Sequence, residues 1–554
     1  MANKFNSYFT DIAQILANNI PDTTSSFEDY LSPPSTNSFG LAETTPEEII
    51  KLGRTIRLSH SKGIDDVDPF VASPSLINIS RPLSEIVNYS FNTGIFPNAL
   101  KIAKVVPIFK RGERDNVANY RPISVLPFFA KIFEKLMYER LSNFLDKTNV
   151  IYPSQHGFQA GRSPSMPLLS IQDKISEAIE NNEYSLGVFF DLAKAFDTVN
   201  HNILLKKLNN YGIRGVQLEW FASYLANRSQ MVYCNGAYSI MRTVRFGVPQ
   251  GSNLGPILFL IFINDLPSAS QLMYFVLFAD DTNVFYSNSS LTSLYQIVNT
   301  ELIKIANWFQ ANKLSLNLDK TNYILFRSHR KNCSTSSNTL CINGCPINQV
   351  TSSKFLGVIL DQHLTWKEHI KAISCKIAKN VGILKRASYL LPPHVRLTLY
   401  YTLVYPYLTY CNLVWASTYK STLQRLSILL KRAIRYVAGV PYGSHTSQLF
   451  LEFKLLKIEQ IRIVQIGEFI YRYEHNLLPA IYSHLFLRAS EVHSYPTRNS
   501  KSYRQPFAHT NTRLFSIRFA GVNVWNSIPL SIRQLPSLYI FKSKLRHYLI
   551  QQIT

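Results

Sequence analysis

"YFVLFADDTNVFY", residues 274–286, sets two adjacent carboxylates, Asp280 and Asp281, inside a run of Phe, Leu, Val and Tyr. An ionised carboxylate among apolar side chains is costly unless it is paired, hydrogen-bonded or bound to a cation. Apolar runs of strand length flank the pair on both sides, so the segment reads as a β-hairpin, and Asp is tolerated in turns. Tight hairpins favour Asn-Gly or Asp-Gly, however, and Asp-Asp supplies no glycine for a positive φ angle. Two readings stand at this point: plain turn residues, or ligands for a cation.

A cation needs a second carboxylate from elsewhere. "GVFFDLAKAFDTV" runs an apolar strand, Gly187 to Phe190, straight into Asp191. Strand ends are where sites are commonly built, although a helix N-cap is the plain alternative for Asp191. Two carboxylates plus substrate phosphates are the usual way to bind Mg2+ in phosphoryl-transfer sites, and Asp191 with Asp280 supplies that pair.

The chain has 554 residues with 46% apolar side chains, enough for two to four domains with real cores. Its 58 Lys and Arg against 35 Asp and Glu, a formal +23, point to a polyanionic partner, nucleic acid before membrane. From His369 to Leu451 there are eleven basic residues and no acid, and from Val492 to Thr554 nine basic residues and no acid. Solvated helix faces normally mix both signs, so these stretches read as backbone-binding surfaces. The six cysteines, at 234, 333, 341, 345, 375 and 411, are scattered and lack zinc-site spacing, which suits a reducing compartment. The amino terminus has no signal-peptide core, and no apolar run approaches bilayer length. The expectation is a soluble protein of the nucleus or cytoplasm with no membrane partner.

Residues 20–47 are rich in Pro, Ser and Thr and read as a linker, with a short helix starting near Thr45. From about Leu100 to Asp361 strand-like and helical segments alternate without a uniform βαβ rhythm, which predicts an α+β domain. "SLGVFFDLAKAFDTVNHNILLKKL" reads as a strand running into an amphipathic helix, and "GPILFLIFINDL" as a buried helix. After Trp366 the pattern turns helical. "HIKAISCKIAKNVGILKRASYL", "LTLYYTLVYPYLTYCNLVW" and "TLQRLSILLKRAIRYVAG" read as three helices, broken at Pro392-Pro393 and Gly439.

Taken in order, "DLAKAF" from Asp191, "FGVPQGSNLGPILFLIFINDL" from Phe246 and "LFADD" resemble the successive palm motifs of reverse transcriptases. Upstream, "AKVVPIFKRGERDNVANYRPISVLPFFAKIFEKLMYERL" and "QHGFQAGRS" resemble the fingers motifs of non-long-terminal-repeat (non-LTR, LINE-type) retrotransposons, most closely the jockey and CR1-like group. Downstream, "LSLNLDKTNYILF" and "KFLGVILDQHLTWKEHI" resemble the later palm motif and the primer grip. The resemblance implies a right-hand polymerase. Residues 1–89 form a linker and short helical region, 90–361 fingers and palm, 362–440 a helical basic thumb, and 441–554 a basic, mainly helical carboxy-terminal region.

It also implies roles. Asp191 and Asp280 match the ligands of two Mg2+ ions, for which Mn2+ can substitute, and Asp281 supports them. Lys110 and Arg121 match clamps on the triphosphate, with solvated surface charge as the plain alternative. Phe196 matches the steric gate that excludes a 2′-hydroxyl, where an ordinary core Phe at a helix start is the reading without the motif. Gln250 and Gly251 would lie against the incoming nucleotide and template base, the glycine allowing close backbone approach. Lys320 matches a lysine that protonates the leaving pyrophosphate, with a surface lysine as the plain alternative. Phe355, Leu356 and Gly357 would hold the primer terminus, though a buried strand also explains them. Asp197 reads as an N-cap, and His201 and His369 have no assigned role.

The implied reaction is RNA-templated DNA synthesis from a DNA primer or target end with deoxynucleotide triphosphates. Residues 1–97 are too short for the endonuclease that such elements encode, and no ribonuclease H-like acidic cluster follows Asp361. The expectation is a polymerase served by an endonuclease in trans. Its rivals are a catalytically inactive nucleic-acid-binding relic or recruited copy, and a two-metal nuclease, in which the Gln-Gly and fingers motifs would have no task.

Overall fold

The computed structural model describes residues 1–21, 23, 25–56, 59–331, 338–488 and 502–553, so Cys333 lies outside the described residues. The strands run in chain order as β1 (Ile102–Phe109), β2 (Tyr120–Val125), β3 (Tyr184–Phe190), β4 (Arg228–Cys234), β5 (Ala237–Tyr238), β6 (Arg242–Val244), β7 (Tyr274–Phe278), β8 (Asp281–Asn288) and β9 (Asn322–Phe326). Short β10 (Cys341–Ile342), β11 (Cys345–Pro346) and β12 (Asn348–Gln349) precede a hairpin of β13 (Ser352–Phe355) and β14 (Val358–Asp361).

The central sheet has the order β12-β9-β3-β8-β7, with β3 antiparallel to both β8 and β9. Every residue of β3 is buried, because helices cover both faces. Leu186, Val188 and Phe190 enter one apolar cluster with the buried helix Leu254–Ile263 and the helix Leu291–Ala311. Phe189 enters the other, with the helix Ser165–Glu180. That alternation is the two-residue period of a strand with a hydrophobic layer on each side. The pairing of Phe190 with Thr282 brings the carboxy end of β3, and so Asp191, beside the β7–β8 turn. The sheet, antiparallel except for the parallel edge strand β12, with helices packed on it, is the expected α+β arrangement.

A second sheet pairs β2, β1 and β4, and β1 runs parallel to β4. The helix Ala2–Asn18 packs against it through buried Phe5 and Phe9. The Asn6 amide donates to Ile240 O at 2.7 Å and Ser239 Oγ at 2.9 Å. Among its described residues the Pro, Ser and Thr-rich segment has no regular strand but is docked. Ser35 N donates to Asn210 O and Phe39 N to Gly212 O, both at 2.8 Å, and the Phe39 ring is buried. The helix Pro46–Thr55 starts at Thr45, whose side chain accepts from Glu48 N.

Two local expectations differ. No helix starts at Asp191 or Asp197; residues 191–200 turn, and the helix His201–Asn210 begins with Asn200 as its N-cap, accepting from Asn202 N and Ile203 N. The stretch read as one helix after Pro393 is three, Pro393–Leu403, Tyr405–Thr409 and Asn412–Trp415. Pro406 cannot donate in the helix ladder, and Cys411 has φ +49°, so the chain bends at both points.

The helices Lys367–Ala387, Lys420–Ala438, Ile458–Glu474 and Leu538–Gln551 share one apolar cluster, which runs across residue 440 without a packing boundary. Arg513 and Arg518 both pair with Asp173 at 2.8 Å, tying the carboxy-terminal region to the helix behind the central sheet. Among the described residues no helix is long and apolar enough to cross a membrane.

Candidate active site

Phe278 and Asp281 form the last pair of the β7–β8 hairpin, so its two-residue turn is Ala279-Asp280, not Asp280-Asp281. Ala279 takes the positive φ, +56°, that glycine would normally supply. What holds it there is the loop before the helix Ser165–Glu180. Gln155 Oε1 accepts from Ala279 N at 2.9 Å and from Gly157 N at 2.8 Å. His156 N donates to Leu277 O at 2.7 Å, and Leu277 N to Ser154 O at 3.0 Å. A Cβ on Gly157 would lie 2.2 Å from Ala279 N, so this close approach requires glycine.

Asp191 leaves β3 beside this turn. Its carbonyl accepts from Asn317 N at 2.8 Å, and Ala193 N donates to Ser315 O at 2.9 Å, which fixes the chain after the strand. Asp280 and Asp281 open to solvent at the cleft while protein crowds their flanks. That crowding raises the Asp280 carboxyl, and the neighbouring Asp191 raises it further. Crowding, then Asp280, then Asp191 push Asp281 up to about 6. Three carboxylates thus repel one another across one small site. Their hard oxygen donors fit Mg2+ or Mn2+. Among the described residues no group of three or more His, Cys, Asp or Glu side chains is arranged to hold a metal ion, so these carboxylates would need substrate oxygens and water to complete its coordination.

Basic groups face the same cleft. Lys320 Nζ lies 3.4 Å from Asp191 Oδ2, with both side chains about half exposed. Lys110, just past β1, is lowered by desolvation and by Arg121, Arg111 and Lys320. Arg121 stands on β2, where it pairs with Ile108. Lys194, not singled out from the sequence, belongs to this group: burial lowers it, Asp197 counters, and Lys110, Lys320 and Arg121 lower it further. Among the described residues neither Lys110 nor Arg121 makes an ion pair.

Phe196 stacks on Phe259 with ring centroids 4.7 Å apart and meets Phe158 edge-on at 6.1 Å. Its carbonyl accepts from Val248 N at 2.8 Å, linking it to the "VPQG" loop. Gln250 Nε2 donates to Asp197 Oδ1 at 2.8 Å, and Ser124 N donates to Gln250 O at 2.7 Å. Gly251, φ +117°, approaches the protein's own β2: a Cβ there would be 2.6 Å from Ser124 O. Asp197 is therefore a partner of Gln250 and not a helix cap. Burial pushes its carboxyl up to about 6 against the opposing effects of Gln250 and Lys194. Behind the loop a cavity of about 50 Å3, lined by Asp197, His201, Arg228 and Gln250, has room for water. His201 Nε2 contacts Gly247 O at 2.8 Å, and buried His369, lowered to about 4, accepts weakly from Ile359 N; both are structural.

Glu134 was also missed. Fully buried, it accepts from Tyr224 Oη at 2.6 Å and Asn253 N at 2.8 Å, anchoring the start of the helix after "PQGS". Its "FEK" context carries no sequence signal beyond a charge on an otherwise apolar helix face.

The reverse transcriptase (RNA-dependent DNA polymerase) family matches residues 108–360, which hold all of these elements. The RNA-directed DNA polymerase from the mobile element jockey of Drosophila melanogaster is 30% identical over 445 residues, 78% of this chain and 48% of the relative. Residues 108–360 thus carry a reverse transcriptase domain, and the chain is similar to the RNA-directed DNA polymerases of non-LTR retrotransposons. The probable RNA-directed DNA polymerase from Drosophila melanogaster transposon BS is 28% identical over 467 residues, 81% of this chain and 50% of that protein. The chain thus spans about half the length of these curated relatives. A solved apo telomerase from Candida tropicalis aligns with a TM-score of 0.33 at 14% identity, over 51% of this chain and 59% of that one. A reverse transcriptase domain has the right-hand polymerase fold, and the central sheet lies within the matched residues. In the β13–β14 hairpin, Phe355 is buried against Phe189, which leaves Leu356 and Gly357 as the outward-facing part of the motif.

Proposed function

We propose that this reverse transcriptase extends a DNA primer 3′ end on an RNA template by nucleotidyl transfer from deoxynucleotide triphosphates. The observation that supports it most is the pairing of opposites left unsatisfied. Carboxylates that repel one another face Lys110 and Arg121, which make no ion pair among the described residues and only offset the charge of Asp280 from a distance. A ligand carrying both a metal cation and a polyphosphate answers both halves of that site.

In this reading Asp191 and Asp280 hold two Mg2+ ions, or Mn2+, and Asp281 sets the charge around them. When bound, the ions neutralise charge on the attacking and departing oxygens. Lys110 and Arg121 fix the triphosphate. The primer 3′-hydroxyl gives its proton to solvent as its oxygen bonds to the α-phosphorus, the bond from that phosphorus to the β-phosphate oxygen breaks, and Lys320 donates a proton to the departing pyrophosphate. Phe196, braced by Phe259 and Phe158, closes on the sugar and rejects a 2′-hydroxyl. The acid-free helices after Trp366 track the backbone of the template–primer duplex. The primer end comes from a strand-nicking activity, which an annealed primer replaces in an assay.

The test is primer extension by the purified chain on an RNA template with Mg2+ and deoxynucleotides, beside Asp280→Asn. Extension by the native chain and its loss in the variant is the expected result. Tight RNA binding with no extension by either folded protein would overturn the proposal in favour of a binding relic. Strand scission in place of extension would favour a nuclease.

A further inference from the structure

The turn joining β13 to β14 is held by a side chain 54 residues further along the chain. Leu356 has φ +45° and Gly357 φ +81°, the pair of positive angles that a two-residue hairpin turn demands. Asn or Gly is the usual first residue there, and leucine in this conformation costs about 1–2 kcal/mol. Burial of Phe355 and Val358 fixes the base of the hairpin but not its tip. The tip is fixed by Tyr410. Its hydroxyl donates to Leu356 O at 2.8 Å, and its ring lies 3.3 Å from where a Gly357 Cβ would be.

Tyr410 is itself held rigidly. Its N–H donates to Pro406 O at 3.0 Å, and its carbonyl accepts from the indole of buried Trp415 at 2.9 Å. The next residue, Cys411, has φ +49°, which turns the chain so that Tyr410 stands out from the short helix Tyr405–Thr409. The Tyr410 side chain remains about half exposed (47%), on the outward side of the turn. Burial of the hydroxyl, then Cys411, pushes it up to about 12, so it stays a donor at working pH.

We propose that Tyr410 is a positioning residue for the primer: it locks the Leu356–Gly357 turn against the helical region, so that the primer grip and that region move as one body. The inference rests on the reading of Phe355, Leu356 and Gly357 as the primer grip. Tyr410→Phe removes one hydroxyl and keeps the ring, so the fold is preserved. The dissociation constant for an annealed RNA template and DNA primer, read by fluorescence anisotropy, should rise about three- to tenfold, the range for one lost hydrogen bond. The KM for deoxynucleotide should not move. Adding Leu356→Asn, a residue at ease with positive φ, should recover part of the loss, a rescue that a merely structural tyrosine would not give.

Gly357→Ala separates the two ideas, since its methyl meets the Tyr410 ring at a strained φ. If Gly357→Ala leaves primer affinity unchanged, the primer-grip reading fails. If Gly357→Ala weakens primer binding while Tyr410→Phe does not, or if Tyr410→Phe shifts only the deoxynucleotide KM, the positioning role is overturned.

Discussion

Gly157→Ala tests whether the turn that carries Asp280 is held from beneath. A methyl on Gly157 would lie 2.2 Å from the Ala279 nitrogen and 2.9 Å from its Cα. Both are backbone atoms, so no rotamer change relieves the overlap. The turn must retreat by about 1 Å to regain ordinary contact distance. Gly157 has no positive φ, so alanine adds no backbone strain of its own. The retreat also pulls Ala279 N away from Gln155 Oε1, now 2.9 Å apart, and so loosens the anchor of the strained residue. A displacement of this size at a reacting centre costs about 100-fold in rate.

Single-nucleotide primer extension should therefore show kcat down by about 100-fold and a higher Mg2+ requirement, with primer–template affinity within about twofold of the native chain. Gly382→Ala is the control: open space surrounds it on the helix Lys367–Ala387, and alanine there should keep activity and add up to about 1 kcal/mol of stability. Native extension rates and native Mg2+ dependence in Gly157→Ala would refute the reasoning, because the overlap would then displace something other than the carboxylates.

Other substitutions probe separate links. Asp281 holds its proton up to about pH 6 in the folded chain, above its ordinary range, so the folded state binds more protons than the unfolded state between about pH 4 and 6 and loses stability as pH rises through that window. Without divalent metal, Asp281→Asn should therefore melt above the native chain at about pH 7.5, and the difference should vanish near pH 4. Lys207 and Asp265 form a buried pair at 2.5 Å, with side chains 0% and 2% exposed, and Lys207→Ala should cost about 3–5 kcal/mol in denaturant unfolding by stranding the carboxylate. Phe196→Val should raise ribonucleotide incorporation relative to deoxynucleotide by about 10- to 100-fold in a competition assay, as expected for an emptied steric pocket. An unchanged ratio would return Phe196 to an ordinary core role.

How far these features were legible depended on whether their cause was local. The buried helix at Leu254–Ile263, the β7–β8 hairpin and the Thr45 cap each rest on a few consecutive side chains. The turn within that hairpin was shifted by one residue, because Ala279 adopts a glycine-like φ only through Gln155, 124 residues away. Asp197 looked like a cap because it precedes a helix; its actual partner, Gln250, lies 53 residues on. The single helix expected after Pro393 broke at Pro406, which was visible, and at Cys411, which was not. Glu134 and Lys194 matter through contacts made across elements, and their neighbours in sequence carry no trace of those contacts.

Among the described residues sixteen non-glycine positions have positive φ, and seven of them are Asn or Asp, which tolerate it best. Of the other nine, Phe158, Lys194, Ala279 and Leu356 stand at the candidate active site or the β13–β14 turn, and Cys411 supports Tyr410. Each costs about 1–2 kcal/mol and persists only where the surroundings over-determine it. Here the surroundings are specific: Gln155 holds Ala279, and Tyr410 holds Leu356. The same small region also bears three mutually repelling carboxylates. A chain that only bound nucleic acid through its basic helices would gain stability by exchanging Ala279 for glycine or Asp281 for asparagine, and would lose nothing. Both costs stand together, each braced from a distance, in the region that the proposed function makes the polymerase centre.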